Sequence, residues 1–333
     1  MSDLWARLAG ILSTGKSAAL VTVLAVRGSA PREAGARMIV AADGSFTGTI
    51  GGGQLEWEAI QLTVGRLGAG SDTLCLTDFA LGPDLGQCCG GRVDIAVESF
   101  TRADLPEIEA RAGLEASGGF VCETRFDEAR PHADRRVTGS PPAADGRLEP
   151  IDPSARLYLE TFADLRHPVL LFGAGHVGRA TVLALAALPF RVTWADSRPD
   201  AFPGAMPRNV APVGARRPVR LIADAPPGSL VLVMTHSHPL DLELCRAALA
   251  RPDLPYVGVI GSDTKRVRFV KRLSESGLGE AALTRFRCPI GIDGIDDKAP
   301  AVIAASVAAE LLLKREASLK VSVDKARLTV EGE

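Results

Sequence analysis

The chain has 333 residues, 46% of them hydrophobic and 23% charged, which excludes a disordered chain and is long enough for two cores of ordinary size. Its 38 Lys and Arg against 40 Asp and Glu leave a net charge of -2, without the basic excess that a general nucleic-acid or membrane-surface binder needs. Aromatic residues at 5% also argue against a stacking platform for single strands.

Leu4 to Leu12 places apolar residues on one stripe and predicts a helix, with Ser2 as its N-cap. Ala19 to Val26 reads as a buried strand, and Met38 to Ile50 as a hairpin turning at Asp43-Gly44. Gly51-Gly52-Gly53 opens a helix that runs to about Leu67. Strands are expected at Thr73 to Phe79, Val93 to Glu98 and Phe120 to Phe126, with a helix over Leu105 to Ala116. Residues 127–155, rich in Pro, Asp, Gly and Arg and without sustained periodicity, read as a linker in preference to a segment with a short strand at its centre. The expected organisation is therefore an α+β domain over 1–126, a linker over 127–155, and a second domain over 156–333. In that second domain strands alternate with helices: Val169 to Phe172, a helix to Leu188, Arg191 to Ala195, Leu230 to Thr235 and Tyr256 to Ile260. Helices start near Pro239, Ser262 and Ala299. This alternation implies a Rossmann-like parallel sheet covered on both faces.

The longest apolar run, Ala301 to Ala309, falls well short of the roughly 18 residues of a membrane span, and the first residues show no targeting pattern. The six cysteines form no C-x-x-C pair and no disulfide framework. A cytoplasmic protein without membrane association is the expectation. Cys75, Cys122, Cys245 and Cys288 lie in or beside apolar segments and read as packing residues.

The strongest generic motif is G-A-G-H-V-G at 173–178, between a strand and a helix. Gly173 allows the tight turn, Gly175 the close approach of backbone to a phosphate, and Gly178 the packing of helix on strand. The helix N-terminus offers free N–H groups to an anion. His176 either touches that anion or packs. Asp196 ends the next strand, where a ribose would be held. His236 and His238, after another strand, could ligate a metal or contact a ligand, or one of them could cap the helix that follows. Ser262 is a plausible N-cap, and Lys265 and Arg266 sit in a first turn where cations oppose the helix dipole, so an anion nearby would explain them. In the first half, Gly28-Ser29-Ala30-Pro31-Arg32 follows a strand. Gly51, Gly52, Gly53, Gln54 and Glu56 join a strand to a helix. Gln87, Cys88 and Cys89 stand in a glycine-flanked segment where thiolates could do sulfur transfer or ligate a soft metal.

Taken together, G-S-A-P-R-E-A-G-A-R-M, G-T-I-G-G-G-Q-L-E, L-G-Q-C-C-G-G, F-G-A-G-H-V-G-R, M-T-H-S-H, G-V-I-G-S-D-T-K-R and C-P-I-G-I resemble, in that order, the XdhC/CoxI family of accessory proteins of bacterial xanthine dehydrogenase. The resemblance covers nearly the whole chain outside 127–155. It implies a chaperone that binds the molybdenum cofactor in its molybdopterin form. Such a protein holds the cofactor while a cysteine desulfurase exchanges an oxo for a sulfido ligand, and passes it to the molybdenum subunit of xanthine dehydrogenase. The motifs are glycines, helix N-termini and thiols, without a positioned general base, so no turnover of its own is expected; a homo-oligomer, a dimer, is a further expectation. A molybdenum cofactor nucleotidyltransferase is a further candidate partner and a nucleotide a candidate ligand of the Rossmann-like site. Cys88 and Cys89 would be the molybdenum contacts, and the glycine loop the phosphate cradle. Two other classes stay open on the residues: an NAD(P)-dependent oxidoreductase, from the glycine loop and Asp196, and a zinc hydrolase, from His236 and His238.

Overall fold

A computed structural model describes residues 3–71, 73–81, 91–140 and 148–330, by backbone alone beyond residue 319. The chain forms two compact units, 1–165 and 166–333.

The first unit is built on a five-stranded antiparallel sheet. Its strands are β1 (Ala18–Arg27), β2 (Arg37–Ala41), β3 (Phe46–Gly48), β4 (Cys75–Ala80) and β5 (Arg92–Phe100), in spatial order β3-β2-β1-β5-β4. The apolar run of β1, broken only by the buried Thr22, is explained by burial on both faces. Ala19, Val21 and Val23 face a core closed by Leu55 and Ala59 of α2 (Gly53–Gly68). Ala18 and Leu20 face another core, filled by Trp5 and Leu8 of α1 (Leu4–Ser13) and Ile108 of α3 (Leu105–Ala116). Ser2 lies outside the described residues, and the start of α1 is held from elsewhere. The carboxylate of Glu115, on α3, accepts the N–H groups of Leu4 and Trp5, both at 3.0 Å. This supplies two of the acceptors that a helix start lacks.

The expected linker is instead part of a second antiparallel sheet. That sheet has β6 (Phe120–Arg125), β7 (Asp134–Gly139), β8 (Glu149–Asp152) and β9 (Leu157–Phe162) in the order β7-β6-β9-β8. The stretch 127–155 supplies β7 and β8, and the compact unit continues to Leu165, so the expected boundary at 156 is corrected. Two physical reasons fix the segment. Arg130 and Glu128 cover the open edge of β4 by accepting the N–H groups of Leu74 and Leu76, at 2.9 and 3.1 Å. Arg135 of β7 plunges inward. Its guanidinium donates to both oxygens of Glu98 (2.8 and 2.6 Å) and to Glu160 (2.8 Å), which also accepts from Arg37 at 2.7 Å. Burial raises the Glu160 carboxyl, but Arg135 and Arg37 more than offset this and hold it at about 2.

The second unit has a six-stranded, all-parallel sheet. Its strands are β10 (His167–Phe172), β11 (Phe190–Asp196), β12 (Val210–Gly214), β13 (Leu230–Val233), β14 (Tyr256–Val259) and β15 (Phe286–Arg287). The spatial order β12-β11-β10-β13-β14-β15 reverses direction between β10 and β13, the doubly wound arrangement expected from the alternation. One face packs on α6 (His238–Leu249) and α7 (Asp263–Glu275), through Leu244, Cys245, Phe269 and Leu273. The other packs on α4 (His176–Ala184) and α9 (Pro300–Val330), through Val182, Val307 and Leu311. Two short helices, α5 (Arg220–Ala223) and α8 (Glu280–Leu283), complete the connections. Helix α4 stops four residues before the expected Leu188, in a turn whose N–H groups bond three residues back ahead of Pro189. No helix of the described residues is long and apolar enough to cross a membrane.

Candidate functional site

Parallel strands place every β-to-α loop at one sheet edge, so the motifs of the second half converge by topology. Gly173 follows β10 at φ 112°, and a Cβ there would strike the carbonyl of Met234, the residue after β13. Gly178 sits under the same turn, where a Cβ would strike the Gly173 carbonyl. Gly175, the residue before α4, differs from both: nothing stands within 4 Å of where its Cβ would be. The loop is thus closed on its protein side and open at the helix N-terminus, the shape that admits a phosphate. His176 is the first, exposed residue of α4.

Asp196 follows at the end of β11 but does not stand free as a ribose acceptor. One oxygen accepts the Ala174 N–H at 2.7 Å, and both accept from the Arg198 guanidinium at 3.0 Å. Burial opposes ionisation, yet these donors more than offset it and hold the carboxyl at about 2. Asp196 therefore braces the glycine loop. Beside it a small cleft is lined by Gly173, Asp196, Ser197, Pro218, Thr235 and His236.

Ser237, not a histidine, caps α6 by accepting the Leu240 N–H. His238 is the exposed first residue of that helix, and among the described residues no three His, Cys, Asp or Glu side chains gather as a metal set around it or His236. The anion expected near Lys265 is Asp241, on α6. Lys265 Nζ donates to Asp241 at 2.7 Å and to the Ile260 carbonyl at 2.8 Å, and Asp241 accepts the Thr235 hydroxyl at 2.6 Å. The Asp241 side chain is fully buried, so this lysine neutralises a charge inside the fold. Ser262 caps α7 as expected, and Arg266 is exposed. Motif spacing missed the groups that set the last loop: Glu310 of α9 accepts the Gly291 N–H (2.6 Å) and the Tyr256 hydroxyl (2.7 Å). A buried glutamate in the apolar run of α9 was the available signal.

In the first unit, two of the three motifs also meet. Gly51, Gly52 and Gly53 have φ values of 136°, 75° and 62°, which only glycine adopts in succession at low cost. A Cβ on Gly51 would lie 2.8 Å from that of Pro31, so the turn before α2 rests on the Gly28–Arg32 loop. Glu56 ties the turn, accepting from the Thr49 hydroxyl (2.5 Å) and the N–H groups of Ile50 (3.0 Å) and Gly52 (3.2 Å). Gln54 is engaged on its own helix with Glu58 at 3.1 Å. Gln87, Cys88 and Cys89 lie outside the described residues. Their flanks, Leu81 and Gly91, are joined by a backbone hydrogen bond of 2.7 Å, and a Cβ on Gly91 would strike the Ser29 carbonyl. Gly91, the last residue of the third motif, therefore lies against the Gly28–Arg32 loop.

Known proteins are similar to this chain. The family described as XdhC Rossmann domain matches residues 169–311, and the XdhC and CoxI family matches residues 11–78. The uncharacterized protein YqeB of Escherichia coli K12 is 26% identical over 299 residues, 88% of this chain, which spans only 43% of that protein's length. A protein of Bacillus subtilis, described as a probable subunit of xanthine dehydrogenase, is 24% identical, with 95% of this chain and 98% of that one covered. The molybdenum cofactor insertion chaperone PaoD of E. coli K12 is 26% identical over 84% of this chain and 78% of its own. A crystal structure of a xanthine dehydrogenase from Bacillus halodurans has the same fold, with a TM-score of 0.75 at 20% identity, covering 95% of this chain and 96% of that one. With both halves matched in order, the chain belongs to the XdhC and CoxI family.

Proposed function

We propose that this protein is an accessory chaperone that carries the molybdenum cofactor in its molybdopterin form. In this reading it holds the cofactor during sulfuration by a cysteine desulfurase and delivers it to the molybdenum subunit of xanthine dehydrogenase. It does so in the cytoplasm, as a homodimer and without turnover of its own; a molybdenum cofactor nucleotidyltransferase is the third partner. The observation that carries the reading is the shape of the glycine loop. Gly173 and Gly178 are packed against backbone, while Gly175 leaves the α4 N-terminus open to a phosphate, which molybdopterin bears. The likeness to a molybdenum cofactor insertion chaperone along 84% of the chain supports it.

The cofactor is cargo, and the residues present suit it. Backbone N–H groups at 175–177 suit its phosphate or that of a nucleotide, and a cysteine pair suits a soft metal to which sulfur is being added. A nicotinamide-dependent oxidoreductase is less favoured because the Asp196 carboxylate, which would hold a ribose, is bonded to Ala174 and Arg198. The test is to produce the protein in a molybdopterin-making host and assay oxidised pterin fluorescence against a strain blocked in molybdopterin synthesis. Cofactor-free xanthine dehydrogenase should then regain urate formation faster with loaded protein than with free cofactor at the same concentration. Cys88→Ala and Cys89→Ala should lower bound cofactor while leaving the fold intact. Equal activation by free cofactor would remove the chaperone reading.

A further inference from the structure

The first unit holds a cleft of about 370 Å³ whose described lining includes none of Gly51, Gly52 and Gly53. It opens where the β1-β5-β4 face meets the turn between β8 and β9. Leu24, Leu76 and Pro153 give it apolar walls, and Tyr158 lines one side. Two carboxylates stand in it, Asp78 of β4 and Asp94 of β5, directly opposite one another in the strand pair. Like charges in that position repel unless a donor lies between them. Here the donor is Arg27, whose Nη2 reaches Asp78 at 2.6 Å and Asp94 at 2.8 Å.

That contact is made by one nitrogen of an arginine whose side chain is 59% exposed, so the planar fork of the guanidinium is not used as a fork. Asp78 has a second partner, Arg92, while among the described residues Arg27 is the one guanidinium bonded to Asp94. Burial, and then Asp78 beside it, push the Asp94 carboxyl upward even with Arg27 present. Asp94 is therefore the carboxylate of the pair that is short of N–H donors. The volume suits one small flat molecule, the walls suit its faces, and Arg156 at the mouth suits an anionic or carbonyl substituent.

We propose that this cleft binds a flat heterocycle with a cyclic acylguanidine edge, the edge a pterin presents, whose N–H groups take the place of Arg27 on Asp78 and Asp94. The choice of a pterin rests on the cofactor-carrying reading; the edge chemistry rests on the cleft. The cleft and the glycine loop lie in different units and are tested separately, because pterin itself has no phosphate.

The experiment titrates the full-length protein, purified from a strain blocked in molybdopterin synthesis, with pterin and with lumazine, following ligand fluorescence. Lumazine has the same ring system but a carbonyl where pterin has its amino group, and so turns an acceptor toward the carboxylates. Saturable binding of pterin, at least tenfold tighter than lumazine, is the expected result, and this comparison needs no variant. Asp94→Asn and Ala25→Phe, the latter filling the cleft, should each weaken pterin at least tenfold with unchanged circular dichroism. Absence of saturable pterin binding, equal binding of lumazine, or undiminished binding by both variants would overturn the proposal. A protein that arrives loaded from a molybdopterin-making host yet fails these titrations ends this inference alone. A protein that arrives empty but discriminates pterin from lumazine ends the carrier reading and leaves the cleft as a site for acylguanidine heterocycles.

Discussion

Each unit buries charge, but over different distances in the chain. In the second unit Asp241 and Lys265 sit 24 residues apart, on the helices that follow β13 and β14, two neighbouring strands. In the first, Glu160 pairs with Arg37 across 123 positions, and Arg135 joins Glu98 and Glu160 from a stretch that looks like a linker. The parallel unit brings its charges together as a by-product of strand order. The antiparallel unit must close long loops first, and a charge cluster then locks the closure. The first unit's integrity should accordingly hang on one arginine, and the second's on tight backbone contacts.

Arg135→Met is the strongest way to break this contrast. It leaves Glu98 and Glu160 buried without their shared cation, at a cost of roughly 3–5 kcal/mol. Urea unfolding should show an early transition of the first unit with the second unchanged. A loss under about 1 kcal/mol would return 127–155 to linker status. In the second unit, Gly178→Ala should cost roughly 1–3 kcal/mol, because its Cβ meets the Gly173 carbonyl, whereas Gly175→Ala should stay within about 0.5 kcal/mol. Thermal melts of the two alanine variants measure the difference, and identical melting temperatures would contradict the two-sided loop.

Acid should act on both units. The Glu160 and Asp196 carboxyls lie at about 2, against ordinary values of 4.5 and 3.8. A lowered folded-state value means that their stabilisation is complete above the ordinary value and is lost as pH falls toward 2. For Asp196 this amounts to about 2 kcal/mol, and Asp196→Asn should flatten that part of a stability–pH curve measured from pH 5 to pH 2. An unaltered acid limb would mean that Asp196 does not brace the loop. A smaller loss belongs to the start of α1: Glu115→Ala removes the acceptor of two N–H groups and should cost about 1 kcal/mol in denaturant unfolding.

The pattern of residues carried much of this in advance. Strands buried on both faces read as apolar runs, so β1, β10, β13 and β14 were recognisable, as were the turns at Asp43-Gly44 and Gly173 to Gly178. In 127–155 a single short strand was all that could be weighed against a linker, because β7 and β8 are short, polar and largely exposed, with little alternation to detect. β9 escaped because the buried Glu160 sits where a core strand would carry an apolar residue. In the site, Gly175, His176 and Ser262 stand where spacing put them, while Asp196 and Lys265 turned out to have protein partners.

Sequence alone determined the two-part organisation, the doubly wound second unit and the ordered motifs that mark the family, because each depends on periodicity or on a few neighbouring residues. Only the tertiary structure decided which charges are neutralised internally, that 127–155 belongs to the first unit, and that Asp78 and Asp94 face each other in a cleft. A carboxylate looks the same in a sequence whether its partner is a ligand, a lysine 24 residues away or an arginine more than 100 residues away. The cost of burying it is settled only when long loops close and bring that partner within hydrogen-bond reach.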